Sequence, residues 1–279
     1  MKKITFILCA IFVNLTSFAE MASVEEKIEC PKNKPKIPDI ARSEVYKKTP
    51  FKAGESLEYE VKYGMLLAGY ATMEVRSPRK HLSRWHRVFH AEARTGDWFK
   101  SIYVTQDIVE AVSRPWDFGV SSFYLEQNEG KLFGRTIEQK KFLEFDHDAC
   151  KTTEKIQAKG KPDEVDTHDL SYGAVDSIGS VYLLRTKDFK IGKKERVLVY
   201  TSEKNWWLEA EPKEFEKLTT EAGTFDTVKV KLTTYIGKEL QQKGEIYVWI
   251  GRGEGRPLVK VDAEIKIGNL SMTLKKIKN

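Results

Sequence analysis

Three segments of this chain alternate apolar and polar residues with a strict period of two. Leu57, Tyr59, Val61 and Tyr63 alternate with Glu58, Glu60 and Lys62. Val228, Val230 and Leu232 alternate with Lys229 and Lys231, and Val259, Val261, Ala263, Ile265 and Ile267 with Lys260, Asp262, Glu264 and Lys266. Successive side chains of a strand point to opposite faces, so each segment makes a strand with one dry face and one wet face. That habit belongs to antiparallel sheets covering a core on one side. Further strands are expected over 67–76, 85–94, 101–112, 119–127, 131–145, 152–158, 195–202, 205–210 and 243–250. Turn signals separate them: Ser77-Pro78, Thr95-Gly96-Asp97, Asn128-Glu129-Gly130, Asp146-His147-Asp148 and Ala222-Gly223. The expected fold is all-β and mainly antiparallel, a curved sheet or barrel-like architecture with one central helix.

That helix is expected over 172–186, where Val175, Ile178, Val181, Tyr182 and Leu184 follow helical spacing. Asp169 or Ser171 can cap it, and Asp176 falls in its early half. Gly173 and Gly179 weaken it locally. Residues 51–279 then form one β-rich domain, divisible into halves 51–160 and 190–279 around the helix.

The N-terminus reads as a targeting segment. Met1-Lys2-Lys3 precedes an apolar run from Ile4 to Phe18, and Ser17-Phe18-Ala19 offers small residues ahead of Glu20. This is the pattern of a secretory signal peptide, residues 1–19, cleaved after Ala19. The run is about 15 residues, short of the roughly 20 that span a bilayer. No later stretch is long and apolar enough to span one, and the periplasm is the expected destination. Residues 20–50 are a Pro/Lys-rich arm, with Pro31, Pro35, Pro38 and Pro50 interrupted by Lys32, Lys34 and Lys36. Loss of Cys9 with the leader leaves Cys30 and Cys150, which in an oxidising compartment suggests a disulfide; two free thiols are the other reading. Such a bridge closes a loop of about 120 residues, worth roughly 4–5 kcal/mol on the chain-entropy model.

Chemistry is sparse. His86, His90 and Glu92 share a strand face, yet the histidines stand about 13 Å apart and cannot hold one ion without a bulge or partner strand. Asp146-His147-Asp148 reads as a turn, Asp166-Thr167-His168-Asp169 as a loop capping the helix, and Gly251-Arg252-Gly253-Glu254-Gly255 as a hairpin loop. No catalytic residue, metal site or cofactor is assigned. Lys plus Arg number 47 against 41 Asp plus Glu, with mixed signs along the chain. That balance lacks the clustered basic excess of a nucleic-acid binder. Arg76, Arg79, Lys80, Arg84 and Arg87 flank one turn, either solvated or meeting anionic headgroups or glycans. Aromatics reach 11%. The weak ligand-binding candidates are Trp206, Trp207, Trp98, Trp116 and Tyr124, because rings offer apolar area with a polar edge to lipids or sugars. The adjacent Trp206 and Trp207 face opposite ways on a strand.

Three stretches together resemble a known family. They are Phe51-Lys52-Ala53-Gly54-Glu55-Ser56-Leu57-Glu58-Tyr59-Glu60-Val61 with Ala68-Gly69; Asp176-Ser177 with Tyr182-Leu183-Leu184-Arg185-Thr186; and Ala222-Gly223-Thr224-Phe225 with Val248-Trp249-Ile250, Arg256-Pro257 and Ala263-to-Gly268. The family is the exported bacterial domain of unknown function DUF3108. The resemblance implies export, an envelope setting and a mostly antiparallel β fold, and it carries no activity. The function expected is non-enzymatic binding of a hydrophobic or amphipathic envelope component, with a lipid or a glycan as the ligand, in a groove of the β structure. The rival is a protein that binds or cleaves envelope polysaccharide. A third reading is a structural partner of an envelope assembly, meeting another envelope protein through a sheet edge or the Pro-rich arm.

Overall fold

The computed structural model describes residues 30–131, 136–237, 239–240, 244–264 and 268–279. The leader 1–19, the cleavage point after Ala19 and the first part of the arm, 20–29, lie outside the described residues. Two antiparallel meanders make up the rest. The first runs β1 (Ser56–Tyr63), β2 (Leu66–His81), β3 (Arg84–Thr95), β4 (Tyr103–Ser113), β5 (Val120–Lys131), β6 (Thr136–Asp146), β7 (Lys151–Ala158) and β8 (Glu164–Asp169). The second runs β9 (Glu195–Thr201), β10 (Lys204–Thr220), β11 (Gly223–Ile236), the two-residue β12 (Glu239–Leu240), β13 (Ile246–Gly251), β14 (Leu258–Glu264) and β15 (Asn269–Lys278). Pairing of β1 with β15 joins them into one sheet, whose edges are β8 and β9.

Those edges are neighbours in sequence, and the sheet curls until they nearly meet. The linking segment fills the gap. Tyr200 N–H donates to Val175 O at 2.8 Å, and Val120 N–H to Ala174 O at 3.1 Å. Asn205 accepts from Ser171 N–H (2.8 Å) and donates to Asp169 O (2.9 Å). Across the gap, the Phe145 and Tyr200 rings pack edge to face at 5.4 Å.

The helix α1 (Ser177–Arg185) is shorter than the spacing predicts. Gly173, at φ +79°, sits in a turn, and residues 174–175 are spent on hydrogen bonds to β5 and β9. Asp176 is the N-cap itself, its Oδ1 accepting Gly179 N–H at 2.8 Å, and burial pushes its carboxyl up to about 6. Gly179 is a requirement rather than a weakness: a Cβ there would lie 2.6 Å from Asp176 Oδ2. Further corrections follow from strand length. Ser77-Pro78 is a bulge inside β2, and the turn is Leu82-Ser83, both at positive φ. Asn128-Glu129-Gly130 lies within β5, and 164–169 is strand β8 rather than a capping loop. β10 runs on to Thr220 past Pro212, where the register shifts.

α1 plugs one end of the curl. Tyr182 stacks on Phe89 at 4.0 Å and meets Phe51 edge-on at 5.0 Å, while Phe118 stacks on the Phe89 ring at 6.2 Å. Around them Leu57, Tyr59, Met73, Val230, Val261 and Met272 bury the dry face. Among the described residues the concave side is thus packed by its own helix and rings instead of lining an open apolar hollow. The physical reason is that the helix lays Tyr182, Ile178 and Leu184 against the dry face of the sheet and buries them with it.

Candidate functional site

The three stretches that carry the family resemblance meet at the plugged end. Glu55, just before β1, grips the fully buried Arg185 of α1 through two hydrogen bonds of 2.7 and 2.8 Å. The same guanidinium donates to Gly255 O (2.7 Å) and Arg256 O (2.8 Å) in the β13–β14 loop. Phe51 and Tyr182 lie against its faces. Burial pulls the Arg185 pKa down, but the hydrogen bonds and charge of Glu55 outweigh it and leave that pKa raised. This node fixes α1 in place, and Glu55 also borders a polar cleft along β2.

The arm is fastened nearby. Cys30 and Cys150 form a disulfide, and Lys34 Nζ donates to Asp148 O at 2.6 Å. Tyr46 accepts from Val88 N–H, and Arg87 donates to Val45 O. His147 is a buried bridge: its Nε2–H donates to Val120 O (2.6 Å) and its Nδ1 accepts from Gly173 N–H (3.1 Å). Burial first, then the Arg114 charge, pulls its pKa down to about 4, so the ring stays neutral.

The basic cluster is largely neutralised from within. Arg87 is buried, over the Phe118 ring at 4.1 Å, and burial brings its pKa down to about 10. Arg76 and Arg79 both hold Glu110, at 3.2 and 2.6 Å, in the wall of a polar cleft of about 550 Å³. Lys80 and Arg42 approach the Trp85 ring. His90 Nε2–H donates to Glu92 Oε1 (2.9 Å), whereas His86 faces Arg84 O and the His81 ring; the three do not converge.

The aromatic candidates scatter. Trp206 is buried, its Nε1–H donating to Thr201 O, and Trp207 faces the other way under Arg196. Trp116 lies between His86 and Arg114, and Tyr124 packs on Phe142 while donating to Glu126. Trp98 alone of the five stands mostly in solvent, at 62% exposure.

Trp98 belongs to a group that the sequence pattern did not single out. At the end of the curl away from α1, the β1–β2 turn presents Met65 (96% exposed), Leu66 and Leu67, and the β3–β4 connection presents Trp98 and Ile102. A short 3-10 turn, Phe99–Ser101, sets this up: Phe99 is buried as an anchor, and the residues on either side of the turn face outward. The connections are held together by Gly96 N–H donating to Ala68 O at 2.9 Å. Gly69 permits the approach, since a Cβ there would lie 2.2 Å from Arg94 O. The result is an apolar rim on two neighbouring loops.

Below the rim the inward face turns polar. Glu129 is almost fully buried, accepting from Tyr103 OH (3.0 Å) and Gln127 Nε2 (3.4 Å), and Asp107 accepts Asn128 N–H at 3.0 Å. Burial, with the Asp107 charge second, raises the Glu129 pKa well above the carboxylate range. A carboxyl that keeps its proton could act as an acid. The hollow beside Tyr103 and Thr105 is about 10 Å³, room for roughly one water and no substrate. Among the described residues one group has the ligand spacing to hold a metal: Glu154, His168 and Glu203. No helix among the described residues is long and apolar enough to cross a membrane.

Comparison with solved structures gives the fold. A β-barrel-like protein of the domain of unknown function DUF1849 from Brucella abortus superposes with a TM-score of 0.54 at 9% identity, covering 81% of this chain and 97% of that one. An exported protein with a YmcC-like fold from Bacteroides fragilis gives 0.35 at 14% identity, covering 83% and 98%. A lipoprotein from Parabacteroides distasonis gives 0.33 at 13% identity, again covering 83% and 98%. No curated protein matches. The family profile for the protein of unknown function DUF3108 matches residues 58–275, from β1 to β15, and this chain belongs to that family.

Proposed function

We propose that this is an exported protein of the bacterial cell envelope that binds an amphipathic envelope component, a lipid surface, through the apolar rim at the end of its curled sheet away from α1. The observation that carries the reading is the exposure of Met65, Leu66, Trp98 and Ile102 on adjoining connections. Singly exposed apolar residues are ordinary, but a cluster of them marks a contact surface. Tryptophan among them suits a boundary between hydrocarbon and water. Export rests on the Lys2-Lys3 start and the Ile4–Phe18 run ending at Ala19. The interior, filled by α1, favours docking at the rim over enclosure of a ligand. The polysaccharide reading has less support: of the carboxylates lining the polar cleft, Glu74 and Glu110 are engaged by Arg76 and Arg79 and Glu55 by Arg185, and Trp is missing from its described lining.

Half-burial of one such side chain is worth about 1–1.5 kcal/mol. Replacing Met65 and Trp98 by serine should therefore weaken partitioning roughly 30-fold or more. Co-sedimentation with vesicles of phosphatidylethanolamine and phosphatidylglycerol reads this directly. Native protein that stays in the supernatant at lipid excess, or an M65S/W98S variant that binds equally well, would defeat the proposal.

A further inference from the structure

The seam between the two sheet edges gathers metal-ligating groups from three elements. Glu154 lies on β7, His168 on β8, and Glu203 in the β9–β10 turn. One ligand atom of each lies within 4.8 Å of the other two. Glu154 is buried, and its Oε1 is held by Lys141 Nζ at 2.9 Å. Its Oε2 is left 3.6 Å from His168 Nε2. That is too long for a hydrogen bond, and the histidine nitrogen, closed off from solvent, has no such partner among the described residues.

Two further buried groups point at the same place. Thr152, the cross-strand neighbour of His168, is fully buried, and Tyr200 on the opposite edge is 2% exposed. Their hydroxyls lie near each other, yet neither reaches good hydrogen-bonding geometry with a partner among the described residues. The charges of Glu154, Glu203 and Asp169 all act on the Tyr200 hydroxyl, which sets it beside the cluster. Buried polar atoms without well-placed partners carry a desolvation penalty that a bound ion with its water relieves.

The geometry points to a divalent transition-metal site, zinc by its donor set, that ties β7 and β8 to the β9–β10 turn across the seam. An imidazole with two carboxylates suits zinc, whereas calcium and magnesium favour all-oxygen shells. Zinc ligands sit at about 2.0–2.2 Å from the ion, so the three groups must draw in. Glu203 is free to do so, being exposed on a two-residue turn with Ser202 and itself at positive φ. Three protein ligands leave a fourth position for water, with the Tyr200 and Thr152 hydroxyls at hand to hydrogen-bond it. The ion would fasten the curl where the backbone ladder leaves it open.

Tag-free native protein, its disulfide intact, is dialysed against zinc alone, and metal per chain is read by elemental analysis alongside thermal unfolding. The expected result is stoichiometric zinc and a raised unfolding temperature. His168→Ala and Glu203→Gln should each weaken binding by at least the roughly 10–100-fold that loss of an outer-shell partner costs. Glu203→Gln alters only an exposed turn, so it keeps the test sound if His168→Ala folds poorly by circular dichroism. Substoichiometric zinc on native protein, affinity unchanged from native in the folded variants, or a preference for calcium overturns the site.

Discussion

Glu55→Gln is the sharpest probe of what holds α1 inside the sheet. In the native protein Arg185 is fully buried, and its charge is balanced by one carboxylate at 2.7 and 2.8 Å. Glutamine keeps the shape and one acceptor, but it removes the negative charge and turns an amide N–H₂ toward the guanidinium. The carbonyls of Gly255 and Arg256 remain, and they cannot neutralise a full charge. Breaking one side of a buried ion pair typically costs about 3–5 kcal/mol. For a domain of this size that lowers the midpoint of thermal unfolding by roughly 6–20 °C. Urea unfolding followed by tryptophan fluorescence measures it. A second variant, Glu55→Met with Arg185→Met, removes both charges and should lose much less than the two single changes summed, because no charge is stranded. If Glu55→Gln stays within about 1 kcal/mol of native, or if the double variant is fully additive, the ion pair does not secure the helix and α1 is held by its ring contacts alone.

Two other outcomes are expected. His147 has a folded pKa near 4 against about 6.5 unfolded. The unfolded chain therefore takes up the proton first, and the contribution is complete above pH 6.5 and lost as pH falls to 4. Urea midpoints should show about 3 kcal/mol of acid destabilisation from this group, and His147→Gln should flatten that slope. The Cys30–Cys150 bridge closes a separation of 120 residues. Replacing both by serine should cost roughly 4–5 kcal/mol in urea, and unreduced native protein should show no alkylatable thiol at either position by mass spectrometry.

The strands were legible where one face is dry and the other wet. Leu57-to-Tyr63, Val228-to-Leu232 and the Val259-to-Ala263 part of the third run fall within β1, β11 and β14, because alternation reports burial directly; the rest of that run, Ile265 to Ile267, lies outside the described residues. Punctuation residues misled where the fold satisfies them internally. Asn128-Glu129-Gly130 has the composition of a turn, yet Glu129 is held by Tyr103 and Gln127 inside the sheet, so a buried acid was hidden under a loop signal. His168 was hidden likewise, in a polar segment that folds as an edge strand. The helix was overextended because its spacing ignores the turn at Gly173. Glu55 and Arg185 lie 130 residues apart, and no local pattern announces a pair at that distance. The rim was invisible for another reason: Met65-Leu66-Leu67 reads as the apolar start of a strand, and only the position of the neighbouring 3-10 turn reveals that it faces outward.

Joining β1 to β15 has a consequence for the order in which the polypeptide matures. Ser56 is paired with Lys278 and Tyr63 with Leu270, so the earliest strand waits for the latest. A chain emerging N-terminus first can zip β1 through β8 by successive hairpins, but until the last ten residues arrive, one flank of β1 is a bare row of amides and carbonyls. Such a flank invites pairing with a neighbouring molecule. A frameshift or protease cut that removes only β15 would strip the partner from β1 and from β14 together, turning a small loss of chain into two adhesive edges.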